Sequence, residues 1–277
     1  MLDRFINIII KIMFKLIVSN WKQFPDTKEQ SDNFVEKLNS LISKHKLNKL
    51  LKDSQVVILP PHVYIDRLRS IINKDIEIGS QDVSKFNQGA FTGEVSSKML
   101  KSMGVKYVLV GHSERRINFK EKNEDINAKV VNCLHYNLKP ILCIGENARS
   151  KSETANSFRI KKIIFSQLNE CLKGVKEEEI KNIIIVYEPV WAISTSPNSQ
   201  VAEISDIETM IINIRFWFET RFGKEKASNV KILYGGSINK NNILNFKSIF
   251  IGDGLLIGKA STNLDEYISI LKTLKNF

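Results

Sequence analysis

Cysteine is scarce in this chain: Cys133, Cys143 and Cys171 are the only three in 277 residues. The number is odd, no CxxC pair occurs, and no histidine stands at zinc-site spacing. A disulfide framework and a structural zinc are therefore not expected, and a reduced compartment is. No run reaches the roughly 18 consecutive apolar residues of a membrane span. Neither GxGxxG nor a Walker sequence follows the first apolar run, which argues against an open, doubly wound nucleotide-binding sheet. No linker or low-complexity tract divides the chain.

What is present is ordinary in bulk, with 43% hydrophobic and 26% charged residues. The net charge of +11 comes from dispersed lysines, with no Arg-rich block and no interleaved aromatic stripe. This describes a solvated basic surface suited to a small anionic substrate; neither a nucleic acid nor a membrane is expected as a partner. The opening MLDRFINIIIKIMF is apolar and basic, but Asp3, Asn7 and Lys11 interrupt it and no small-residue cleavage site follows. A structural extension and the remnant of a leader both fit residues 1–14, and residues 15–277 form the expected domain. The expected location is the cytoplasm. The apolar, basic start and the pI near 9.4 keep an organelle such as a plastid as the alternative.

Eight short apolar runs recur: KLIVS (15–19), QVVIL (55–59), IEIGS (76–80), KYVLV (106–110), PILCI (140–144), IIIVY (183–187), KILY (231–234) and GLLIG (254–258). Lacking polar alternation, they suit strands buried on both faces, as in parallel sheets. Helical patterns fill the gaps. Residues 27–46 place Phe34, Leu38, Leu41 and Ile42 at helical spacing, and 205–222 open on a capping-box pair, Ser205 and Glu208. Strands alternating with helices predict an α/β fold, a single-domain (β/α)8 barrel.

Such barrels carry their active groups at the C-terminal ends of the strands. There the sequence puts Asn20 and Lys22 after the first run, His112 after the fourth, and Glu188 after the sixth. Ser237 follows in a GGS turn after the seventh, and Gly258 with Lys259 after the eighth. An acid, an imidazole, an ammonium and two glycine-bearing turns thus converge on one mouth. Taken singly, each has a plainer reading: a strand-end acid, a surface lysine, a tight turn.

SNWKQF (19–24), SQDV (80–83), GAFTGE (89–94), VGHSERR (110–116), ILCIGE (141–146), YEPVWAI (187–193), YGGSI (234–238) and DGLLIGKAS (253–261) together resemble the triosephosphate isomerase family. The resemblance runs from about residue 15 to the C-terminus. It implies a homodimer that interconverts dihydroxyacetone phosphate and glyceraldehyde 3-phosphate, with neither cofactor nor metal. It makes Glu188 the base, His112 a neutral electrophile, Lys22 the electrostatic stabiliser and Asn20 a substrate hydrogen-bond donor. The Ser237 and Gly258 turns would hold the phosphate through backbone N–H groups, and the Ser194 amide would close onto it. Glu114 would position Lys22. Gln81, Phe91, Thr92 and Gly93 would lie at the dimer contact.

The chain also departs from that family. Ser194 and Ser196 stand where it has glycine, and about three extra residues sit near Pro197–Gln200. A longer, less glycine-rich lid that seals less well against water is the expectation. Lys259 replaces a glycine of the last phosphate turn; its ammonium either reaches the phosphate or points to solvent. Phe24 and Asp82 also differ from the usual pattern. Trp191, Trp217 and Cys143 are read as packing residues, and His45, His62 and His135 as surface or helix-packing ones. The alternative function is a non-catalytic or lid-impaired homologue acting as a binding protein.

Overall fold

The eight apolar runs form eight parallel strands in a computed structural model that describes residues 14–150, 152–193, 202–246 and 251–277. They are β1 (Leu16–Asn20), β2 (Gln55–Leu59), β3 (Ile76–Ile78), β4 (Tyr107–Val110), β5 (Lys139–Ile144), β6 (Ile184–Tyr187), β7 (Lys231–Tyr234) and β8 (Gly254–Ile257). Helices α1 (Lys28–Lys44) and α2 (Asn48–Asp53) follow β1, α3 (Ile65–Ile71) follows β2, and α4 (Ser97–Ser102) follows β3. After β4 come α5 (Ser113–Asn118) and α6 (Asn123–His135), after β5 α7 (Phe158–Cys171), after β6 α8 (Ile204–Phe222) and α9 (Lys224–Ser228), and after β8 α10 (Leu264–Lys275).

Hydrogen bonding orders the strands β3-β2-β1-β8-β7-β6-β5-β4. Ser80 closes the ring: its N–H donates to the Tyr107 carbonyl at 2.9 Å, and its carbonyl accepts from Leu109 N–H at 2.9 Å. This is the (β/α)8 barrel predicted from the runs. The lack of alternation has a direct cause. Leu16, Val18, Val57, Leu109, Ile141, Val186 and Leu233 fill the interior, while their neighbours Ile17, Val56, Val108, Leu142, Ile185 and Ile232 pack outward against helices. Both faces of each strand are dry, so both sets must be apolar.

Local chemistry sets the helix starts. Thr27 Oγ1 accepts from Gln30 N–H at 3.1 Å and caps α1, and Asn263 Oδ1 accepts from Glu266 N–H at 3.0 Å and caps α10. The expected Ser205–Glu208 capping box does not form. Helix α8 begins at Ile204, with Glu203 at the cap and no side-chain cap bond. Asp206 in that first turn instead pairs with Arg149 and accepts from Ala155 N–H at 2.8 Å, contacts that only the tertiary fold supplies. Phe24, a departure from the family pattern, packs edge-on against Trp21 and Phe34 with ring centroids 6.2 and 5.2 Å apart. Among the described residues no helix is long and apolar enough to cross a membrane.

Candidate active site

A cavity of about 250 Å3 opens at the C-terminal end of the barrel, lined by Asn20, Lys22, His112, Glu188, Ser237, Gly258 and Lys259 among others. The candidates picked from strand ends therefore meet in one place. Ser194 lies outside the described residues.

Lys22 leaves β1 in the left-handed region, with φ of 55°. For a residue with a side chain this costs on the order of 1–3 kcal/mol, so neighbouring contacts must impose it. They do so from both sides. Lys22 N–H donates to Asn20 Oδ1 at 3.0 Å, and the Gln81 amide donates at 2.8 Å to both the Lys22 and the Leu59 carbonyls. The turn aims the ammonium at Glu114, 2.5 Å away. Asn20 spends its amide oxygen on this turn, which leaves its NH2 group as the donor for a ligand. Gln81, expected at a dimer contact, thus makes its bonds within the chain and supports Lys22.

His112 caps α5. Its Nδ1 accepts from the Glu114 backbone N–H at 3.3 Å. A ring nitrogen that accepts carries no proton, so the proton of the neutral ring is on Nε2, the nitrogen facing Glu188 at 2.9 Å. The neutral tautomer implied by resemblance therefore has a local cause.

Glu188 follows β6, is buried, and accepts from Ser113 N–H at 3.1 Å through its second oxygen. Burial pushes its pKa up, but His112 and the Ser113 amide outweigh that and hold it below the ordinary carboxylate value. For His112, burial disfavours the charged form, yet the adjacent Glu188 raises its pKa overall. Both shifts belong to the contact between the two groups and would lapse if Glu188 moved away. The Glu188 backbone is also confined: a Cβ on Gly145 would overlap the Glu188 carbonyl oxygen. Gln167 holds Gly145 by accepting its N–H and donating to its carbonyl, each at 2.9 Å.

At the other end of the cavity, both the N–H and the hydroxyl of Ser237 donate to the Ala192 carbonyl, at 3.1 and 2.9 Å. Trp191 is anchored by its indole N–H, which donates to the buried Glu146 carboxylate at 2.8 Å. The same oxygen takes Tyr187 Oη at 3.1 Å and Arg149 at 2.6 Å. Sequence reasoning missed Glu146 and Arg149. Glu146 stands inside the quoted ILCIGE, but apart from Arg149 its partners, Tyr187 and Trp191, come from more than 40 residues on. His62, read as a surface or helix-packing residue, lines the neighbouring cavity, with its Nε2 2.8 Å from Ser80 Oγ and 3.0 Å from the Asp82 carbonyl.

A second cavity of about 520 Å3 adjoins the first and shares Asn20, Lys22 and His112 with it. Beneath it, Asp82 pairs with Lys129 at 2.6 Å and Arg115 at 2.9 Å, which gives this departure from the family a charge partner. The segment around Phe91, Thr92 and Gly93 is exposed, and the Phe86 and Phe91 rings stack at 3.7 Å with planes 2° apart. Cys143 is a buried core residue whose thiol is pushed well up by burial.

Comparison with known proteins adds independent findings. The family model described as triosephosphate isomerase matches residues 15–274. The triosephosphate isomerase of Caldanaerobacter subterraneus subsp. tengcongensis is 38% identical over 257 residues, covering 92% of this chain and 98% of the relative. That of Mesomycoplasma hyopneumoniae (strain 232) is 36% identical over 259 residues, 94% of this chain and 99% of the relative. That of Dictyoglomus thermophilum is 34% identical over 261 residues, with the same coverage of 94% and 99%.

Proposed function

The chain belongs to the triosephosphate isomerase family, and we infer that its barrel mouth interconverts dihydroxyacetone phosphate and glyceraldehyde 3-phosphate, a step of glycolysis and gluconeogenesis. The observation that carries this is Glu188 and His112 in contact at 2.9 Å, facing one cavity with Lys22. Glu188 takes the proton α to the substrate carbonyl and returns it to the neighbouring carbon, so no proton acceptor has to leave with the product. The His112 Nε2–H donates to the oxygen that becomes negative in the enediolate. Lys22 and the Asn20 NH2 group add a fixed positive field at the same oxygens. To act, Glu188 must exchange the Ser113 amide and His112 for the substrate.

The phosphoryl group is assigned to the Ser237 and Gly258 turns, with the Ser194 amide closing over it. Because Ser237 N–H is held by the Ala192 carbonyl, phosphate binding at that amide requires Ala192 to withdraw. Glu114 is assigned the positioning of Lys22. The working unit we propose is a homodimer in which the 89–94 segment of a second copy, with Phe91, Thr92 and Gly93, fills the cavity beside Lys22 that Gln81 also lines. A barrel domain of residues 15–277 preceded by residues 1–14, and a cytoplasmic location, complete the proposal. Free, buried cysteines support the location. The alternative, a non-catalytic binding protein, has no observation in its favour, since Lys22, His112 and Glu188 are all present and converge.

A coupled assay of glyceraldehyde 3-phosphate conversion tests the reading, with Glu188→Asp beside the parent chain. Withdrawing the carboxylate by one methylene should lower kcat by about 100-fold or more. A folded parent protein without turnover, or a variant as active as the parent, would refute it.

A further inference from the structure

The charges around the cavity leave a dianionic ligand short of a partner. A phosphate monoester carries about −1.5 to −2 at neutral pH. Lys22 is bonded to Glu114 at 2.5 Å, and Glu188 is engaged with His112. The charged lining residues that remain are Lys259 and Glu266, and among the described residues neither forms an ion pair. An acid facing the same space makes the shortage worse: Glu266 repels the ligand that the turns would hold.

Lys259 is placed to answer it. It follows Gly258 directly, and the turn beneath it is firmly bonded. Ser261 donates to the Gly258 carbonyl through N–H at 2.8 Å and through Oγ at 2.7 Å, and Thr262 Oγ1 donates to the Lys259 carbonyl at 2.9 Å. Lys22 lies against the same turn, since a Cβ on Gly258 would be 3.7 Å from Lys22 Cε. The two lysines therefore flank Gly258. Lys22 is paired with Glu114, whereas Lys259 is exposed and pairs with no acid among the described residues. We propose that Lys259 is a second side-chain cation, beside Lys22, that binds the substrate's phosphoryl group. This rests on the isomerase reading and assigns the side chain a part that a glycine there could not play.

The test measures two quantities on the full chain: the dissociation constant of inorganic phosphate, read directly by calorimetry, and KM with kcat for glyceraldehyde 3-phosphate. Loss of one charge-assisted contact in Lys259→Met should weaken phosphate binding and raise KM, each roughly tenfold, with kcat little changed. Lys259→Arg should retain most of the affinity. Lys37→Met, which removes the same charge from α1, should leave both values unchanged, and an equal loss there would overturn the proposal by tracing the effect to net charge. Phosphate affinity in Lys259→Met within about twofold of the parent would also overturn it. Because phosphate binding is read without turnover, an inactive parent would refute the isomerase reading while leaving Lys259 to be judged on affinity.

Discussion

Glu188 and His112 hold each other, with Oε1 2.9 Å from Nε2, while the backbone N–H groups of Ser113 and Glu114 fix the far side of each. Two consecutive amides at the start of α5 thus orient a base from β6 and an imidazole from β4. The contact has consequences for stability, because the folded pKa of Glu188 is lowered and that of His112 raised.

The lowered carboxylate contributes stability above its unfolded value of about 4.3, lost as pH falls through the folded value. The raised imidazole contributes stability that is full below its unfolded value of about 6.5 and is lost as pH rises through its folded value. The pair should therefore stabilise most between about pH 5 and 6.5. Thermal melts of the parent and Glu188→Gln across pH 5–9 should show the parent's advantage shrinking as pH rises through that range. A constant difference across the range would show that the contact carries no charge.

Gln81 bridges the Lys22 and Leu59 carbonyls and so enforces the left-handed turn at Lys22. Gln81→Met leaves both acceptors without this donor, which should cost about 1–3 kcal/mol in urea unfolding. Catalysis should suffer beyond that, with kcat/KM down on the order of tenfold in the still-folded fraction as the ammonium loses its aim. Stability loss with unchanged kinetics would confine Gln81 to a structural role.

Gly145 has no room for a side chain against the Glu188 carbonyl. Gly145→Ala should push the β6 exit outward and lower kcat by about 100-fold, more than it raises KM. A variant with parent kinetics would mean that the base tolerates the displacement.

The stacked Phe86 and Phe91 rings are 37% and 38% exposed, a costly display of apolar surface in a solitary subunit. Sedimentation of the parent should give a dimer. Phe91→Asp should shift the equilibrium toward monomer and reduce activity with it, since the proposed contact lies beside Lys22. A parent that sediments as a monomer while active would rule out the dimer as the working unit.

Much of this was readable before the fold. The eight strands were legible because parallel strands dry on both faces must be apolar throughout, and Ile17 and Val18 show that in adjacent letters. Asn20, Lys22, His112, Glu188, Ser237, Gly258 and Lys259 were legible because a barrel brings strand ends to one mouth. The Ser205–Glu208 box misled because a local pattern was scored without the competing pull of Arg149 on Asp206.

The sequence by itself determined the barrel, the chemistry of its mouth and the family, since periodicity and residue type suffice for strands and for reactive groups next to them. Only the tertiary structure decided the tautomer of His112, the strained turn that aims Lys22, the role of Gln81 behind it, and the Glu146 anchor under Trp191. The role of Gln81 and the Glu146 anchor depend on hydrogen bonds between residues far apart in the chain, and the Lys22 turn and the His112 tautomer on local backbone geometry, none of which has a periodic signature along the sequence. Lys259 joins the two levels. Its letter marked a departure, and its place beside Lys22 and Glu266 around one cavity turns that departure into a proposal about phosphate.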